Sequence, residues 1–297
     1  MTSSMTRVQA NGASSFKHRR KLSGKDVLGQ TVLYIFLLFC LIIAAYPLVW
    51  LFYSSFKPQK EIFESAFAFP KNFDFINYLH IWGSSSFPRY YLNSLFVTTV
   101  SVIGTIALST MAGYVFARIH FKYKNLLFSF LIAGMMIPSQ VMLVPDFILL
   151  RNINLLDTYW AMILPYIAFQ IPISVFIMRG FFSELPVELE DAAVIDSCGK
   201  KGIFFRIMLP LSKPALSTIV IYNFFSIWNE LIFALTFTNS QKFRTIPVGL
   251  MDFVGQFETD YGYIFAALAS ASIPLLIVYF FAQKQIIKGL TAGAIKG

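Results

Sequence analysis

The chain has 297 residues, of which 57% are hydrophobic and 13% are charged, and its formal net charge is +9. A soluble domain carries about 25% charged residues, so this composition cannot supply both a soluble core and a hydrated surface. It indicates an integral membrane protein. No basic and aromatic soluble domain is present to bind nucleic acid, so membrane lipid with anionic headgroups is the expected partner of the positive charge.

Six apolar segments are long enough to cross the membrane as helices, which takes about 20 residues for about 30 Å of hydrocarbon. They lie at 31–53, 90–117, 125–149, 158–178, 214–236 and 261–283. The segments are apolar on all sides, whereas the strands of a membrane β-barrel alternate apolar and polar residues. We therefore predict an all-α membrane protein with six transmembrane helices, the first of which is an uncleaved span and not a signal peptide.

Lysine and arginine in short loops set the orientation, because such loops stay on the cytoplasmic side of the membrane. These residues concentrate in 1–30, 118–124, 184–213 and 284–297. The intervening loop 146–157 holds only Arg151. We therefore predict a multi-pass protein of a bacterial cytoplasmic (inner) membrane, with a basic head (1–30) and a tail (284–297) that are both cytoplasmic.

The segments outside the membrane offer no catalytic site. Loops 54–89 and 237–260 are too short for a catalytic domain, and their aromatic, proline and charged residues suit a contact with an extracytoplasmic partner or a cover over helix ends. The three histidines lie in different regions and none has a partner at the spacing of metal ligands. We predict that the protein is not an enzyme and holds no metal.

The segment 184–213 is charged, has helical periodicity and lies between apolar spans. Pro186 suits the first turn of a helix, and the acidic residues Glu188, Glu190 and Asp191 favour the positive end of its dipole. An interfacial helix lying on lipid would instead combine bulky apolar residues with a basic face. We predict two short helices at an angle, which present small alanines and carboxylates outward to a protein.

Two motifs in this segment carry a family resemblance. The run Glu190 to Asp196, with Ala192 and Ala193 inside it, followed by Leu209-Pro210, resembles the EAA loop of binding-protein-dependent ABC importer permeases. The stretches 226–230 and 288–297 are similar to the MalG-like, carbohydrate branch of that family. Asp191 stands where the pattern has alanine. Ser197 stands where it usually has glycine, so Gly199 is expected to end the first helix and take the bend.

The resemblance implies the type I ABC importer (MetI-like) permease fold, with a cytoplasmic coupling-helix loop at 184–213, and an ATP-driven importer of carbohydrate, most of all oligosaccharide. The implied partners are a second, MalF-like permease, an ABC ATPase dimer that binds ATP and Mg, and an extracytoplasmic substrate-binding protein. The implied ATPase-coupling contacts are Glu190, Asp191, Ala192, Ala193, Asp196 and Gly199. The implied contacts of the tail are Gly293, Ala294, Ile295, Lys296 and Gly297.

The sequence gives this chain no ATP site of its own. The pair Gly199-Lys200 lacks a hydroxyl residue after the lysine, and Val194 stands where a phosphate-binding loop needs its first glycine. We therefore expect a non-catalytic subunit that binds no cofactor, with the energy supplied by a partner. The alternative is a secondary transporter driven by an ion gradient, for which Glu230 is the candidate intramembrane carboxylate.

Polar residues inside the spans are candidates for the substrate path or for a gate. They are Asn93, Asn223, Trp228, Asn229 and Glu230. The other interpretation is structural, since asparagine and serine at helix interfaces commonly hydrogen-bond to a neighbouring helix. Glu230 can likewise form hydrogen bonds that fix a bend. Prolines in the spans, such as Pro138, predict kinks at which helices can pivot.

Overall fold

The computed structural model describes residues 24–83, 86–253 and 260–294, and within these ranges it contains helices and turns but no strand. The chain divides into two compact units, residues 1–50 and 51–297. Most of the helix α1 (Gly24–Ser54) belongs to the first unit. Nearly all of its side chains between Leu28 and Val49 are exposed. A helix that is apolar all round yet exposed is typical of a membrane span.

All regular secondary structure among the described residues of the second unit is helical. Its helices are α2 (Gln59–Glu64), α3 (Ile76–Gly83), α4 (Phe87–Arg118), α5 (Lys124–Ala133), α6 (Leu143–Asn152), α7 (Trp160–Glu184), α8 (Glu188–Ile195), α9 (Lys200–Ile203), α10 (Leu209–Leu211), α11 (Lys213–Trp228), α12 (Ile232–Phe237), α13 (Ile246–Gly249) and α14 (Tyr261–Ala294). Residues Phe204–Met208 form one turn of π-helix. Three short 3₁₀ turns complete the described structure.

Within the described residues, 4 helices are long and apolar enough to cross a membrane. They include Leu28–Ser54, Phe87–Arg118, Trp160–Glu184 and Tyr261–Phe281. Two bent pairs also qualify, Lys124–Met136 with Ser139–Asn152 and Lys200–Leu211 with Lys213–Trp228, and counting each pair as one span gives up to 6. The predicted span 214–236 is not one helix, because α11 ends at Trp228 and α12 begins at Ile232.

The predicted span 125–149 is bent by 89°. The bend lies at Ile137 and Pro138, where Ile137 is extended, with φ −85° and ψ 115°. A proline disfavours the helical conformation of the residue before it and has no N–H to donate. The kink expected at Pro138 is therefore present, and it breaks the helix completely.

The helices α4 and α7 pack closely because small residues lie between them. A Cβ atom on Gly113 would lie 2.5 Å from Cβ of Met178, and one on Gly104 would lie 2.6 Å from Cδ1 of Ile167. Ser101 and Thr105 on α4 are fully buried. Membrane helices associate through such small residues, which let the backbones approach each other.

The largest cluster of buried side chains lies among α4, α7, α11 and α14. It includes Tyr90, Met162, Trp228 and Ala267. A smaller cluster, which we call the lower cluster, contains Tyr114, Met178, Phe182, Ala193, Ile203, Phe204, Met208, Ala215 and Ile219. The lower cluster joins the ends of α4 and α7 to the loop between α7 and α11, so it supports the candidate coupling segment.

The loop segment between α1 and α4 is held by buried polar groups. The ammonium group of Lys57 is fully buried and donates to the carbonyl oxygens of Ser65 at 3.0 Å and Ala66 at 3.3 Å. Burial lowers the pKa of Lys57, and the nearby carboxylate of Glu61 opposes that shift. The side-chain amide of Asn77 donates to the carbonyl of Lys57 at 2.9 Å. These bonds fix the path of the loop.

Candidate functional site

The helix α8 begins two residues later than the sequence predicts. Its first residue is Glu188, and Pro186 lies outside it. The backbone N–H groups of Glu190 and Asp191 donate to the carbonyl of Val187 at 2.9 and 3.2 Å. The acidic residues Glu188, Glu190 and Asp191 occupy the first turn, where the dipole favours negative charge. The predicted helix is therefore present, with a boundary shift typical of helix ends.

The end of α8 is closed by Ser197 and not by Gly199. Ser197 has a left-handed φ of 59°, and Gly199 has φ −72° and ψ 164°, which is extended. The N–H of Cys198 donates to the carbonyl of Ala193 at 2.9 Å, and the N–H of Ser197 donates to that of Val194 at 2.9 Å. This pair of bonds is a Schellman motif. The expectation that Gly199 takes the bend is wrong, because the hydrogen bonds require the turn two residues earlier.

The two alanines of α8 face in different directions. Ala193 is only 5% exposed and packs into the lower cluster, so the prediction that it faces outward is wrong. Ala192 is exposed. Neighbouring positions in a helix differ by about 100°, so the two alanines cannot both serve the same contact surface.

An exposed surface remains on the other side of α8, and we call it the docking face. It consists of Asp191, Ala192, Val194, Ile195 and Asp196. Val194 is 61% exposed and Ile195 is 83% exposed. Bulky apolar side chains bracketed by carboxylates suit a protein groove better than anionic lipid, which would favour a basic polar face.

Glu190 points inward and is bound within the chain. Its Oε1 lies 3.0 Å from Nε of Arg118 in an ion pair, with the two side chains 17% and 11% exposed respectively. Its Oε2 accepts a hydrogen bond from the hydroxyl of Tyr114 at 3.1 Å. The guanidinium of Arg118 also donates to the carbonyl of Leu185. Sequence reasoning missed the roles of Arg118 and Tyr114, although two such residues one helical turn apart share a face and can bind one carboxylate.

An open pocket of about 520 Å³ lies beside this ion pair. Its lining contains both charge signs, namely Arg118 and Lys200 with Glu190 and Asp191, and His120 also lines it. Val194 and Ile203 add apolar surface to it. The pocket borders the docking face, since Asp191 and Val194 line both.

The second half of the coupling segment packs into the protein. Ile203, Phe204 and Met208 are buried in the lower cluster. The π-helical turn Phe204–Met208 precedes Pro210, and the chain then bends by 72° at Ser212 into α11. Of the predicted tail contacts, Gly293 and Ala294 are the last residues of α14. Ile295, Lys296 and Gly297 lie outside the described residues.

Among the polar residues of the spans, Asn93 is a structural residue. It is 4% exposed, and its amide group donates to the carbonyl oxygens of Lys242 at 2.9 Å and Arg244 at 2.8 Å. Its amide oxygen accepts from the hydroxyl of Tyr159 at 2.8 Å. These bonds join α4 to the loop 238–245 and to the start of α7. These contacts support the structural interpretation of Asn93.

Glu230 lies at the break between α11 and α12. Its carboxylate accepts hydrogen bonds from the N–H groups of Phe233 at 3.0 Å and Ala234 at 3.2 Å. It also accepts a bond of 2.6 Å from the hydroxyl of Tyr166 on α7. These N–H groups belong to the first turn of α12, which lacks acceptors of its own. The carboxylate thus holds the bend, which is the structural role considered for it beside ion coupling and the substrate path or gate.

The other candidate path residues differ in exposure. Trp228 is 3% exposed and donates from its indole N–H to the carbonyl of Ala271 at 3.1 Å. Asn223 is fully buried and donates to the hydroxyl of Ser174 at 3.1 Å. Asn229 is exposed. Among the five predicted residues, Asn229 alone presents an exposed side chain.

The chain matches known transport proteins over most of its length. Residues 106–291 match the family profile of the binding-protein-dependent transport system inner membrane component. The probable ABC transporter permease protein YurM of Bacillus subtilis (strain 168) is 37% identical over 273 residues, which cover 92% of this chain and 91% of that protein. The trehalose/maltose transport system permease protein MalG of Thermococcus litoralis is 33% identical over 276 residues, covering 92% and 99%.

The fold has a counterpart among solved structures. The crystal structure of a bacterial ABC transporter involved in the import of the acidic polysaccharide alginate contains a chain that superposes with a TM-score of 0.78 at 22% identity. The match covers 89% of this chain and 98% of the other. This likeness confirms the predicted all-α permease fold, and the sequence matches confirm the resemblance carried by the EAA run. The chain belongs to the family of binding-protein-dependent transport system inner membrane components.

Proposed function

We propose that this chain is the permease subunit of an ATP-driven ABC importer for carbohydrate, and that it forms the translocation path with a second, MalF-like permease. The observation that carries the proposal is the docking face on α8, where Val194 and Ile195 are 61% and 83% exposed beside Asp191 and Asp196. A short helix that is closed by a Schellman motif and seated on a buried cluster presents this face in a fixed position.

The docking face suits the cleft of an ABC ATPase. Its apolar side chains are costly to leave in water, and its carboxylates can meet cations at the rim of a protein groove. We assign the ATPase contact to Asp191, Ala192 and Asp196, together with Val194 and Ile195. ATP and Mg would bind to the ATPase dimer. This chain would remain non-catalytic and would transmit the closure of that dimer to its membrane helices.

The substrate assignment rests on the relatives. One relative is named for trehalose and maltose, and the transporter whose solved structure shares the fold is involved in the import of a polysaccharide. We therefore place oligosaccharides first among the carbohydrates. The family description names dependence on a binding protein, which supports an extracytoplasmic substrate-binding protein as a further partner.

The orientation follows from the charge distribution. With six spans, the basic residues of 118–124 and 184–213 would lie on the same side of the membrane as the head and the tail. Both termini would then face the cytoplasm of a bacterium, and α8 would lie on the side where ATP is available. The end of the tail, Gly293 to Gly297, would provide an auxiliary contact between the ATPase subunits.

The geometry does not favour a carrier driven by an ion gradient. Glu230, the candidate coupling carboxylate, is bound by Tyr166, Phe233 and Ala234. A group that titrates during transport needs a path to solvent and a second stable state, and these three bonds serve instead to hold a helix break. The structural role accounts for Glu230 without proton transfer.

The first experiment is affinity purification of the full chain from its native membrane in mild detergent, followed by mass spectrometry and an ATPase assay. We expect a homologous permease, an ABC ATPase and carbohydrate-stimulated ATP hydrolysis in the presence of the binding protein. A chain that purifies alone, and that shows no ATPase even after crosslinking through the docking face, would contradict the proposal.

A charge reversal then tests the docking face directly. The substitution Asp191→Lys should reduce transport at least about tenfold, because a reversed charge at a protein contact is strongly unfavourable. The matched control is Glu184→Lys, an equally large charge change at an exposed position at the end of α7. Normal transport by Asp191→Lys, with the variant present in the membrane at the wild-type level, would overturn the assignment.

A further inference from the structure

Glu190 and Asp191 are adjacent acidic residues of α8, yet the structure uses them in opposite ways. Asp191 is exposed on the docking face, whereas the side chain of Glu190 is only 17% exposed. Both carboxylate oxygens of Glu190 have partners within the chain, Arg118 at 3.0 Å and Tyr114 at 3.1 Å. A carboxylate held within the chain by an ion pair at one oxygen and a hydrogen bond at the other is poorly placed to bind a cation of another protein.

Both partners of Glu190 lie in the last turns of α4. This helix has 32 residues and runs from Phe87 to Arg118. Arg118 also donates to the carbonyl of Leu185, the residue that follows α7. The guanidinium therefore joins three elements at one point, namely α4, the end of α7 and α8.

The ion pair is shielded enough to act as a firm link. The side chain of Arg118 is 11% exposed, and the pair lies against the lower cluster, to which Tyr114 itself belongs. Separating a largely buried pair leaves two poorly solvated charges, so the pair resists being pulled apart when α8 is displaced. By comparison, Ala193 fastens α8 to the same cluster only through apolar contact.

We propose that Arg118 and Tyr114 are positioning residues that connect the coupling helix to α4 through Glu190, so that a displacement of α8 moves α4. The inference rests on the proposed function, in which α8 receives that displacement from an ATPase. It separates the two acidic residues by role. Asp191 contacts the partner, and Glu190 transmits the movement within the chain.

The first turns of α4, at the end far from Arg118, are hydrogen-bonded to another loop, which would move with the helix. Asn93 and Tyr90 of α4 bind the segment 242–252, through the carbonyl of Arg244 at 2.8 Å and the carboxylate of Asp252 at 2.6 Å. A helix fastened at both ends by hydrogen bonds to different loops can move as a rigid body. The coupling helix and the loop at the far end of α4 would thus move together.

The test is a charge swap in the assembled transporter, measured as substrate transported per ATP hydrolysed. Arg118→Glu and Glu190→Arg alone should each lower this ratio at least about tenfold, since each puts like charges into a shielded site. The double variant should return to within about threefold of the wild type, because it restores the pair in reverse. The stability changes of the two single variants, measured by thermal unfolding, should likewise not add up to that of the double variant. Such non-additivity would show that the two positions are coupled.

A double variant that remains as impaired as Glu190→Arg alone would indicate that Glu190 binds the ATPase, and it would overturn the inference. If the reversed variants do not fold, Glu190→Gln serves instead, since it keeps the size and the bond from Tyr114 but removes the ion pair. We expect that Glu190→Gln keeps the assembly and loses transport per ATP, and an unchanged ratio would equally overturn the inference. The proposed function fails separately, namely when the wild-type chain brings no ATPase with it.

Discussion

The hydroxyl of Tyr166 on α7 donates a hydrogen bond of 2.6 Å to the carboxylate of Glu230, at the point where the chain leaves α11 and enters α12. The same carboxylate accepts from the N–H groups of Phe233 and Ala234. Tyr166 is only 5% exposed. A helix break inside a membrane protein leaves backbone groups unsatisfied unless side chains bind them, and Glu230 does so here.

Replacing Glu230 by glutamine should loosen this break. The amide group of glutamine cannot accept from two N–H groups and a hydroxyl as a carboxylate does, so we expect a loss of about 1–3 kcal/mol in stability. Tyr166→Phe, which removes one hydrogen bond to the carboxylate, should lose about 1 kcal/mol. Thermal unfolding of the purified protein in detergent measures both changes.

The control for this pair is Asn229→Ala, because Asn229 is exposed and its side chain donates to the carbonyl of Phe225 in the preceding helix α11, at 2.8 Å. It should change the stability by no more than about 0.5 kcal/mol. If Glu230→Gln unfolded like the wild type yet abolished an uptake that required a proton gradient, Glu230 would be a coupling carboxylate and the structural role would be refuted.

The end of α8 offers a stabilising substitution. Ser197 adopts a φ of 59°, a conformation that costs an ordinary residue roughly 1–2 kcal/mol and costs glycine little. We therefore expect Ser197→Gly to stabilise the protein by up to about 1 kcal/mol, since the greater freedom of glycine in the unfolded chain offsets part of the gain. The unfolding midpoint should rise, and transport should be retained.

The matched control is the same substitution at Ser183, an exposed position within α7. Glycine inside a helix is unfavourable, so Ser183→Gly should lower the stability by about 0.5 kcal/mol. A gain in stability at Ser197 together with a loss at Ser183 would establish that the backbone conformation at each serine decides the effect of glycine. A drop at both positions would show that the left-handed turn at Ser197 does not exist in solution.

The sequence predicts the helices well because their causes are local. Length and apolar composition indicate the four continuous spans, and Pro138 explains a kink. The angle of 89° at that kink could not be predicted, since it depends on the packing of neighbouring helices. At Glu230 the sequence allows a bend fixed by hydrogen bonds, but it does not show the donor Tyr166, which lies 64 residues away in the chain.

The direction in which α8 faces is a similar case. Helical periodicity shows which residues share a face, and it does not show which face meets the rest of the protein. The sequence predicts that Ala192 and Ala193 both face outward. In the structure only Ala192 is exposed, and Ala193 is buried in the lower cluster. Arg118 was counted only as a cytoplasmic positive charge, since nothing local links it to Glu190.

The close contact between α4 and α7 makes Gly113 a sensitive position. A Cβ atom there would lie 2.5 Å from Cβ of Met178 and 3.1 Å from the backbone nitrogen of Arg179, neither of which can rotate away. We expect Gly113→Ala to destabilise the protein by about 1–3 kcal/mol through overpacking. Gly104→Ala should cost less, because it meets the flexible end of the Ile167 side chain.

The comparison of these two alanine variants is the control, since both place one methyl group in the same helix interface. Unfolding midpoints and the amount of each protein in the membrane provide the measurement. Equal losses at Gly104 and Gly113 would mean that α4 and α7 can move apart to admit a methyl group, which contradicts the close packing.

Acid should release the loop that Asp157 holds. One carboxylate oxygen of Asp157 accepts bonds from the N–H groups of Asn239 at 3.0 Å and Ser240 at 2.9 Å, and from the hydroxyl of Ser240 at 3.1 Å. Burial by itself would raise the pKa of Asp157, but these bonds and the positive charge of Lys242 outweigh it and lower the pKa below its usual value.

A lowered pKa in the folded state gives the sign of the pH dependence. The stabilisation is complete above the unfolded pKa of about 3.9 and is lost as the pH falls through the lower folded value. Asp157→Asn cannot ionise, so it should be less stable than the wild type at pH 7 by about 1–2 kcal/mol, and the difference should shrink below about pH 4. Asparagine tolerates the left-handed φ of 57° at this position, so the backbone is not perturbed.

Glu64→Gln is the control for this titration, because Glu64 is exposed and lies 3.8 Å from Lys60 in a surface ion pair. Its difference from the wild type at pH 7 should be small, because an exposed ion pair contributes little. Unfolding measured from pH 3 to pH 7 distinguishes the two carboxylates. A constant gap between Asp157→Asn and the wild type across that range would show that the carboxylate stays ionised throughout or contributes nothing. The absence of any gap at pH 7 would show that its three hydrogen bonds do not stabilise the loop.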